Sequence, residues 1–272
     1  HGVLMLKKAI MSDDLTGSMD AGARVIKKGY SVRVVLRCQN LKRSSLDSDV
    51  VIINTESRNI LPGEAAERVN HAIAAIKQSG REVFYKKIDS TLRGNVGREI
   101  EAVINSEKDL LLVVVPSLPY YGRTVVNGNM YLNNTLLEYS DIAEDPFAPV
   151  VESDVCKIIK RQTERKTGFI SLATVREGTT SVKECLDDKK AGNHNIIVID
   201  AENENDLKII SQSLKESELK TLAVGSAGLF SSMLRNKPAP DAAFKCEKTK
   251  NPVFIVSGSP ALATKMQILH AH

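Results

Sequence analysis

The sequence has no tryptophan, and its 272 residues include only six phenylalanines and six tyrosines. A surface that stacks nucleic-acid bases needs aromatics interleaved with a clustered basic face. Neither is present: 37 basic and 33 acidic residues leave a net charge of +4, with the signs mixed along the chain. Nucleic acid is not an expected partner. The four cysteines, Cys38, Cys156, Cys185 and Cys246, are widely scattered and form no C-x-x-C pair. Such spacing supports neither a zinc site nor a disulfide framework, and the expectation is reduced thiols in a cytoplasmic protein. No run of about 18 apolar residues occurs, so no membrane span is expected. The opening HGVLMLKKAIMS is too short and too soon acidic for a signal peptide, and residues 1–4 read as a remnant ahead of a natural start at Met5. The histidines (His71, His194, His270 and the two terminal ones) form no ligand cluster. H-E-x-x-H, G-x-S-x-G, G-x-G-x-x-G and G-x-x-x-x-G-K-[ST] are all absent. A NAD-dependent oxidoreductase in particular lacks its glycine fingerprint.

What remains is an ordinary globular composition, 42% hydrophobic and 26% charged, in a chain long enough for one large domain or nearly two average ones. Strand and helix patterns alternate. Strands are expected at 9–12, 32–37, 50–54, 83–88 and 110–116, and helices at 19–28, 64–78 and 95–105. This rhythm implies a mainly parallel sheet with helices on both faces. The stretch PYYGRTVVNGNMYLNN then alternates like a β-ribbon, with an Asn-Gly turn at 127–128. A helix near 154–165, strands near 168–172 and 195–200, a helix at 204–216 and a strand–loop–helix junction at 221–230 follow. Residues 236–252, rich in lysine and proline, read as a linker. VFIVSGSPALATKMQI then starts a fresh strand, a small-residue loop and a helix within which the chain stops. The expected organisation is a domain over 5–235, a linker over 236–252 and an incomplete domain over 253–272. In fold class this is α/β, with a β-ribbon insertion near 116–135 and a truncated second α/β domain.

In such sheets ligands bind outside the carboxyl ends of the strands, and two polar loops fall there. SDDLTGS places Asp13 and Asp14 at the mouth of the first strand. Either could accept a proton from a substrate hydroxyl or meet magnesium carried by phosphates. One aspartate at that position caps a helix, whereas two in succession repel unless a cation or a proton is shared. The Asp-Asp spacing does not fit the Asp-x-Asp of halo-acid phosphatases. FYKKIDSTLRGNVGREI, residues 84–100, supplies Lys86, Lys87, Asp89, Ser90 and Arg93 from one loop. Its plainer reading is a helix cap at Asp89 or Ser90 beside a solvated Arg93. NTESRNILP offers Arg58 to grip a carboxylate in bidentate fashion, and YGRTVVNG offers Arg123; a surface ion pair is the alternative for each. VGSAGLF and VSGSPALAT are strand–small loop–helix junctions whose free N–H groups suit an anion, or simply close packing.

In this order the stretches DDLTG (13–17), TESRN (55–59), KKIDSTLRGNVGREI (86–100), GRTVVNG (122–128), DPFAPV (145–150), VGSAGL (224–229) and VSGSPALATKMQI (256–268) resemble the four-carbon acid sugar kinases. That is a two-domain family with a sugar-acid-binding N-terminal domain and a nucleotide-binding C-terminal domain. The likeness covers the N-terminal domain and the first strand–loop–helix of the second; the later glycine-rich nucleotide motifs are missing. It implies ATP-dependent phosphorylation of the terminal hydroxyl of a threonate-like or erythronate-like acid, with ATP and Mg2+ as cofactors. Asp13 or Asp14 would orient or deprotonate the attacking hydroxyl. Arg58 and Arg93 would hold the substrate carboxylate, Asp89 and Ser90 its hydroxyls, with Lys86, Lys87 and Arg123 also at the substrate. Ser257, Gly258, Ser259 and Thr264 would begin the nucleotide's phosphate cradle. The implied partners are a small sugar acid and a nucleotide, with room for a homo-oligomer. The competing expectation is a sugar-acid-binding module without catalysis, or half of a split enzyme.

Overall fold

Runs such as LLVVV and IIVI are apolar at every position, which suits strands covered on both faces rather than on one. The computed structural model, which describes residues 7–38, 41, 47–237, 256–257 and 262–271, places them that way. In chain order the elements are β1 (Lys8–Ser12), α1 (Leu15–Lys27), β2 (Val32–Val35), β3 (Val50–Asn54), α2 (Pro62–Gln78), β4 (Glu82–Lys87), α3 (Val96–Asn105) and β5 (Leu111–Val115). A ribbon of β6 (Arg123–Val126), β7 (Asn129–Leu132) and β8 (Thr135–Leu136) follows. Then come α4 (Val155–Lys160), β9 (Thr167–Ile170), α5 (Leu172–Glu177), α6 (Thr179–Ala191), β10 (Ile196–Ile199), α7 (Glu204–Glu216), β11 (Thr221–Gly225) and α8 (Ala227–Met233).

The main sheet has eight strands in the order β2-β3-β1-β4-β11-β5-β10-β9, and every pairing in it is parallel. Period-two alternation sorts its side chains into two cores. Ala9, Met11, Val51, Ile53, Leu112, Val114, Ile196 and Val198 pack with α2, α3 and α4. Ile10, Val50, Ile52, Leu111, Val113, Val115, Ile197 and Ile199 pack with α1, α6, α7 and α8. Helices therefore cover both faces, as the alternating pattern implied. The chain leaves β1 first toward β3 and β2, then returns to place β4 on its other side. That reversal opens a crevice at the carboxyl ends of β3, β1 and β4, where ligands of open α/β sheets bind.

Register aligns these ends. Ser12 of β1 pairs with Asn54 of β3 on one side and with Lys87 of β4 on the other. β4 carries a bulge: Ala9 pairs with Val83 and Ile10 with Tyr85, so Phe84 is skipped.

The ribbon forms around Asn127 and Gly128, both at positive φ (52° and 76°), as a two-residue hairpin turn demands. Asp200, fully buried after β10, accepts N–H groups from Asn127, Gly128 and Leu172 and so ties the turn to the sheet.

Two elements had no clear sequence pattern. α5 and α6 occupy 172–191, where the long helix α6 buries only Val182 and Leu186, too narrow a stripe to read. Conversely, α4 is a turn and a half rather than the expected run over 154–165. The chain divides into compact units at His1–Ala239 and Pro240–His272. Lys237, expected in the linker, belongs to the first: its N–H donates to the Lys28 carbonyl and its ammonium pairs with Asp49. In the second unit Val256 and Ser257 are exposed and irregular, and α9 (Leu262–Ala271) is helical. The strand expected at 253–255, and most of the linker, lie outside the described residues.

Candidate functional site

The chain turns out of β1 at Asp13 and Asp14. Asp14 is extended and its Oδ1 accepts the Gly17 N–H at 2.7 Å, capping α1. The capping role and the site role are not alternatives, because its second oxygen, Oδ2, accepts from Arg58 Nη1 at 2.8 Å. A side chain at Gly17 would displace the capping carboxylate: a Cβ would stand 2.6 Å from Asp14 Oδ1 and 3.2 Å from Lys87 Nζ. Asp13 is 2% exposed and receives the Arg58 fork in bidentate form, Nε to Oδ2 at 2.9 Å and Nη2 to Oδ1 at 3.1 Å. One guanidinium thus supplies the cation that two adjacent carboxylates need.

Arg58 arrives on a loop pinned to β1. Thr55 N–H donates to the Ser12 carbonyl at 2.8 Å and Ser57 N–H to the Asp13 carbonyl at 2.9 Å. Between them Glu56 sits at φ 47°, a strained conformation for a residue with a side chain. From the other side, Gly94 (φ 86°) lets α3 come close: a Cβ there would lie 2.6 Å from the Arg58 carbonyl oxygen. The Asn95 amide donates to the carbonyls of Ser57, Arg58 and Ile60 at 2.8, 3.3 and 2.8 Å.

The two lysines diverge. Lys87, buried, donates to the Ile88 carbonyl at 2.9 Å and faces the first turn of α1. Lys86 is fully buried on the opposite face, its ammonium 2.5 Å from Glu99 of α3. The structure therefore does not present Lys86 to a ligand: its charge is already paired and no solvent reaches it.

Asp89 does not cap α3; Asn95 occupies that position. The Asp89 carboxylate accepts from Thr91 Oγ1 at 2.6 Å and from Arg93 Nε at 2.6 Å. Arg93 reaches onward to Asp145 Oδ2 at 2.9 Å, and Asp145 Oδ1 accepts the N–H groups of Phe147 and Ala148. Arg93 is therefore not simply solvated. Ser90 is half-buried in the turn, with no side-chain hydrogen bond among the described residues. Arg123 is apart: its guanidinium contacts the carbonyl and ring of Tyr121 and makes no bond to the Arg58 cluster. Ser257 and Thr264 lie in the second unit, and Gly258 and Ser259 lie outside the described residues.

Charges in this crevice set each other's protonation. Burial pushes Asp14 up, with Arg58 opposing and Asp13 adding to the rise. Burial pulls Lys87 down against the attraction of Asp13 and Asp89. Burial would raise Asp89, but hydrogen bonds from Arg93 and the charge of Arg58 hold it well below the usual carboxylate range. With every group ionised, four carboxylates (Asp13, Asp14, Asp89, Asp145) face three cations (Arg58, Lys87, Arg93). Its raised pKa lets Asp14 take up a proton more readily than an ordinary aspartate does. Arg58 and Arg93 each use three of five N–H donors, and Lys87 one of three, so donors remain for an anionic ligand.

The functional reading of the loop 86–93 did not include Asn95, Glu99 or Asp145. Glu99 carried a signal: it sits on the apolar stripe of Val96, Ile100 and Val103, and a carboxylate there needs a buried partner. Among the described residues no cluster of three or more His, Cys, Asp or Glu is placed to hold a metal ion, and no helix is long and apolar enough to cross a membrane.

Comparison with known proteins agrees with this architecture. The chain is 35% identical over 267 residues to the D-threonate kinase of Salmonella typhimurium, covering 98% of this chain and 61% of that protein. It is 36% identical to the D-erythronate kinase of Heliobacterium modesticaldum, covering 97% and 60%. The chain thus spans about 60% of the length of the curated relatives it matches. A crystal structure of a Haemophilus influenzae protein superposes with a TM-score of 0.75 at 28% identity, over 83% of this chain and 55% of that one. Residues 8–233 match the sequence profile described as the sugar-binding N-terminal domain, and the chain belongs to that family.

Proposed function

We propose that this chain is the acceptor-binding half of an ATP-dependent kinase that phosphorylates the terminal hydroxyl of a four-carbon sugar acid. The observation that carries the reading is the Asp13–Arg58–Asp14 bridge at the carboxyl end of β1, in a chain whose relatives are named for kinases of D-threonate and D-erythronate. Phosphoryl transfer asks a protein mostly for positioning and charge neutralisation. Asp14 takes the catalytic role. Its carboxylate is 23% exposed where that of Asp13 is 2%, and burial raises its pKa, as suits a group accepting a hydroxyl proton. Asp13, with both oxygens on the Arg58 fork, positions the arginine. The remaining donors of Arg58, Arg93 and Lys87 take the substrate carboxylate, and Ser90 is available to a hydroxyl.

The nucleotide site lies chiefly with sequence beyond this chain, with Ser257, Gly258, Ser259 and Thr264 as its first part. ATP supplies the phosphoryl group. Magnesium is usually held by one or two carboxylates together with phosphates, so on this reading the ion arrives with the nucleotide. Free Cys38, Cys156 and Cys185 suit the reducing cytoplasm.

The test is phosphoryl transfer by the chain joined to its C-terminal part, assayed with threonate and erythronate enantiomers and their oxo relatives. Turnover with a four-carbon acid, abolished in Asp14→Asn, is the expected result. Binding without turnover in the joined protein would favour a sensor module.

A further inference from the structure

We infer that Asn95, at the start of α3, is a positioning residue that sets the protonation of Asp14 by holding the Arg58 loop in place. Asn95 is 8% exposed and makes no hydrogen bond to Asp13 or Asp14. Its Nδ2 donates to the carbonyls of Ser57, Arg58 and Ile60, three of the four residues from 57 to 60. A helix N-terminus ordinarily turns its capping side chain back on its own N–H groups. Asn95 makes no such bond and spends its amide entirely on the neighbouring loop. From the same side Gly94 packs its backbone against Arg58, and Glu99, one turn further along α3 and paired with Lys86, accepts from the Ser57 side chain. Among the described residues, Asn95 alone bonds the loop's carbonyls from α3.

The consequence reaches the catalytic carboxylate through one side chain. Arg58 bonds Asp13 through Nε and Nη2 and Asp14 through Nη1, so a shift of its backbone alters the Nη1 contact to Asp14. The groups facing Asp14 are Asp13 at the end of β1, Arg58 after β3, Lys87 at the end of β4 and the Gly17 N–H of α1. Arg58 is the strongest of those that favour the charged form. Loosening it therefore raises the pKa of Asp14. The inference rests on the kinase reading only for the use of that proton; the coupling itself is a property of this chain.

The experiment is a carboxyl-carbon NMR titration of the 272-residue protein, with the Asp14 signal assigned by its loss in Asp14→Asn. Asn95→Ala is expected to move the Asp14 midpoint upward, in the same direction as Arg58→Gln. Gln162→Ala is the control. Gln162 bonds the Gly94 carbonyl and the Gly97 N–H, on the same end of α3, but none of the 57–60 carbonyls. It should lower thermal stability and leave the Asp14 midpoint in place. Should Asn95→Ala fail to fold, Asn95→Ser, with a shorter donor, gives the same reading. A folded Asn95 variant whose Asp14 titrates as in the wild type overturns the inference, as does an equal shift in Gln162→Ala. Because no turnover is measured, failure here is separable from failure of the kinase assignment.

Discussion

Lys86 and Lys87 are adjacent in sequence and lie on opposite faces of the sheet. The ammonium of Lys86 meets Glu99 of α3 at 2.5 Å, whereas Lys87 lies against the first turn of α1 beside Gly17. The bulge at Phe84 decides which lysine goes where. A bulge adds one residue to a strand and reverses the facing of everything beyond it. Without it, Lys86 would face α1 and Lys87 would face α3. The strand thus delivers one lysine to the crevice and buries the other behind it.

The buried pair should behave as a unit. Lys86→Met or Glu99→Leu alone is expected to cost about 3–5 kcal/mol, because each leaves an uncompensated buried charge. The double variant should cost much less than the sum, read from chemical unfolding of all three proteins. Additive losses would show that the two groups do not interact.

The two aspartates should separate kinetically in the joined enzyme. Asp14→Asn is expected to lower kcat by about 100-fold or more, the usual worth of a positioned base. Asp13→Asn, which frees the Arg58 fork, should instead weaken sugar-acid binding by about tenfold, or ~1.4 kcal/mol. The acid limb of kcat/KM should lie above the ordinary aspartate value of 3.8, because the Asp14 pKa is raised and the base must be deprotonated. A limb at or below that value would exclude Asp14.

Asp89 has a pKa shifted in the opposite direction, and its effect is on stability. Its folded-state pKa lies well below the ordinary 3.8, so its ion pairs add stability above about pH 4 that fades as pH falls further. Asp89→Asn should therefore destabilise the protein by about 3 kcal/mol at pH 7. Below pH 4 the gap to wild type should shrink. Thermal unfolding from pH 7 to pH 3 reads this, and a constant gap would contradict the assignment.

Asp200 accounts for the seating of the ribbon. Asp200→Ala leaves three N–H groups, those of Asn127, Gly128 and Leu172, the last two buried, without their acceptor. A loss of roughly 2–4 kcal/mol is expected, with faster hydrogen exchange at those three amides. Protection unchanged at Asn127 and Gly128 would mean that the ribbon is held by other contacts.

Much of this was legible in the sequence. Apolar runs fixed the strands, and the two polar loops after β1 and β4 pointed to the crevice because parallel sheets place ligands there. What stayed hidden depended on register and tertiary contact. Nothing local to FYKK reveals a skipped Phe84, so Lys86 read as a site residue. Asn95 read only as the first residue of the helix expected over 95–105, with the cap expected at Asp89 or Ser90, and only the approach of the 57–60 loop gives it its task. Asp145 is far along the chain from Arg93 and meets it only in the fold. α6 escaped notice because two buried side chains do not make a visible stripe.

On the proposed reading, the crevice formed by Asp14, Arg58, Lys87 and Arg93 holds a four-carbon sugar acid. The most direct measurement is calorimetric titration of this chain with threonate and erythronate enantiomers and their oxo relatives, beside the matching uncharged sugar alcohols. At least one acid should bind, more weakly to Arg58→Ala and Arg93→Ala, while the neutral alcohols give no heat. Preference for a neutral sugar or a nucleotide over every acid, or acid binding untouched by both arginine variants, would contradict the account.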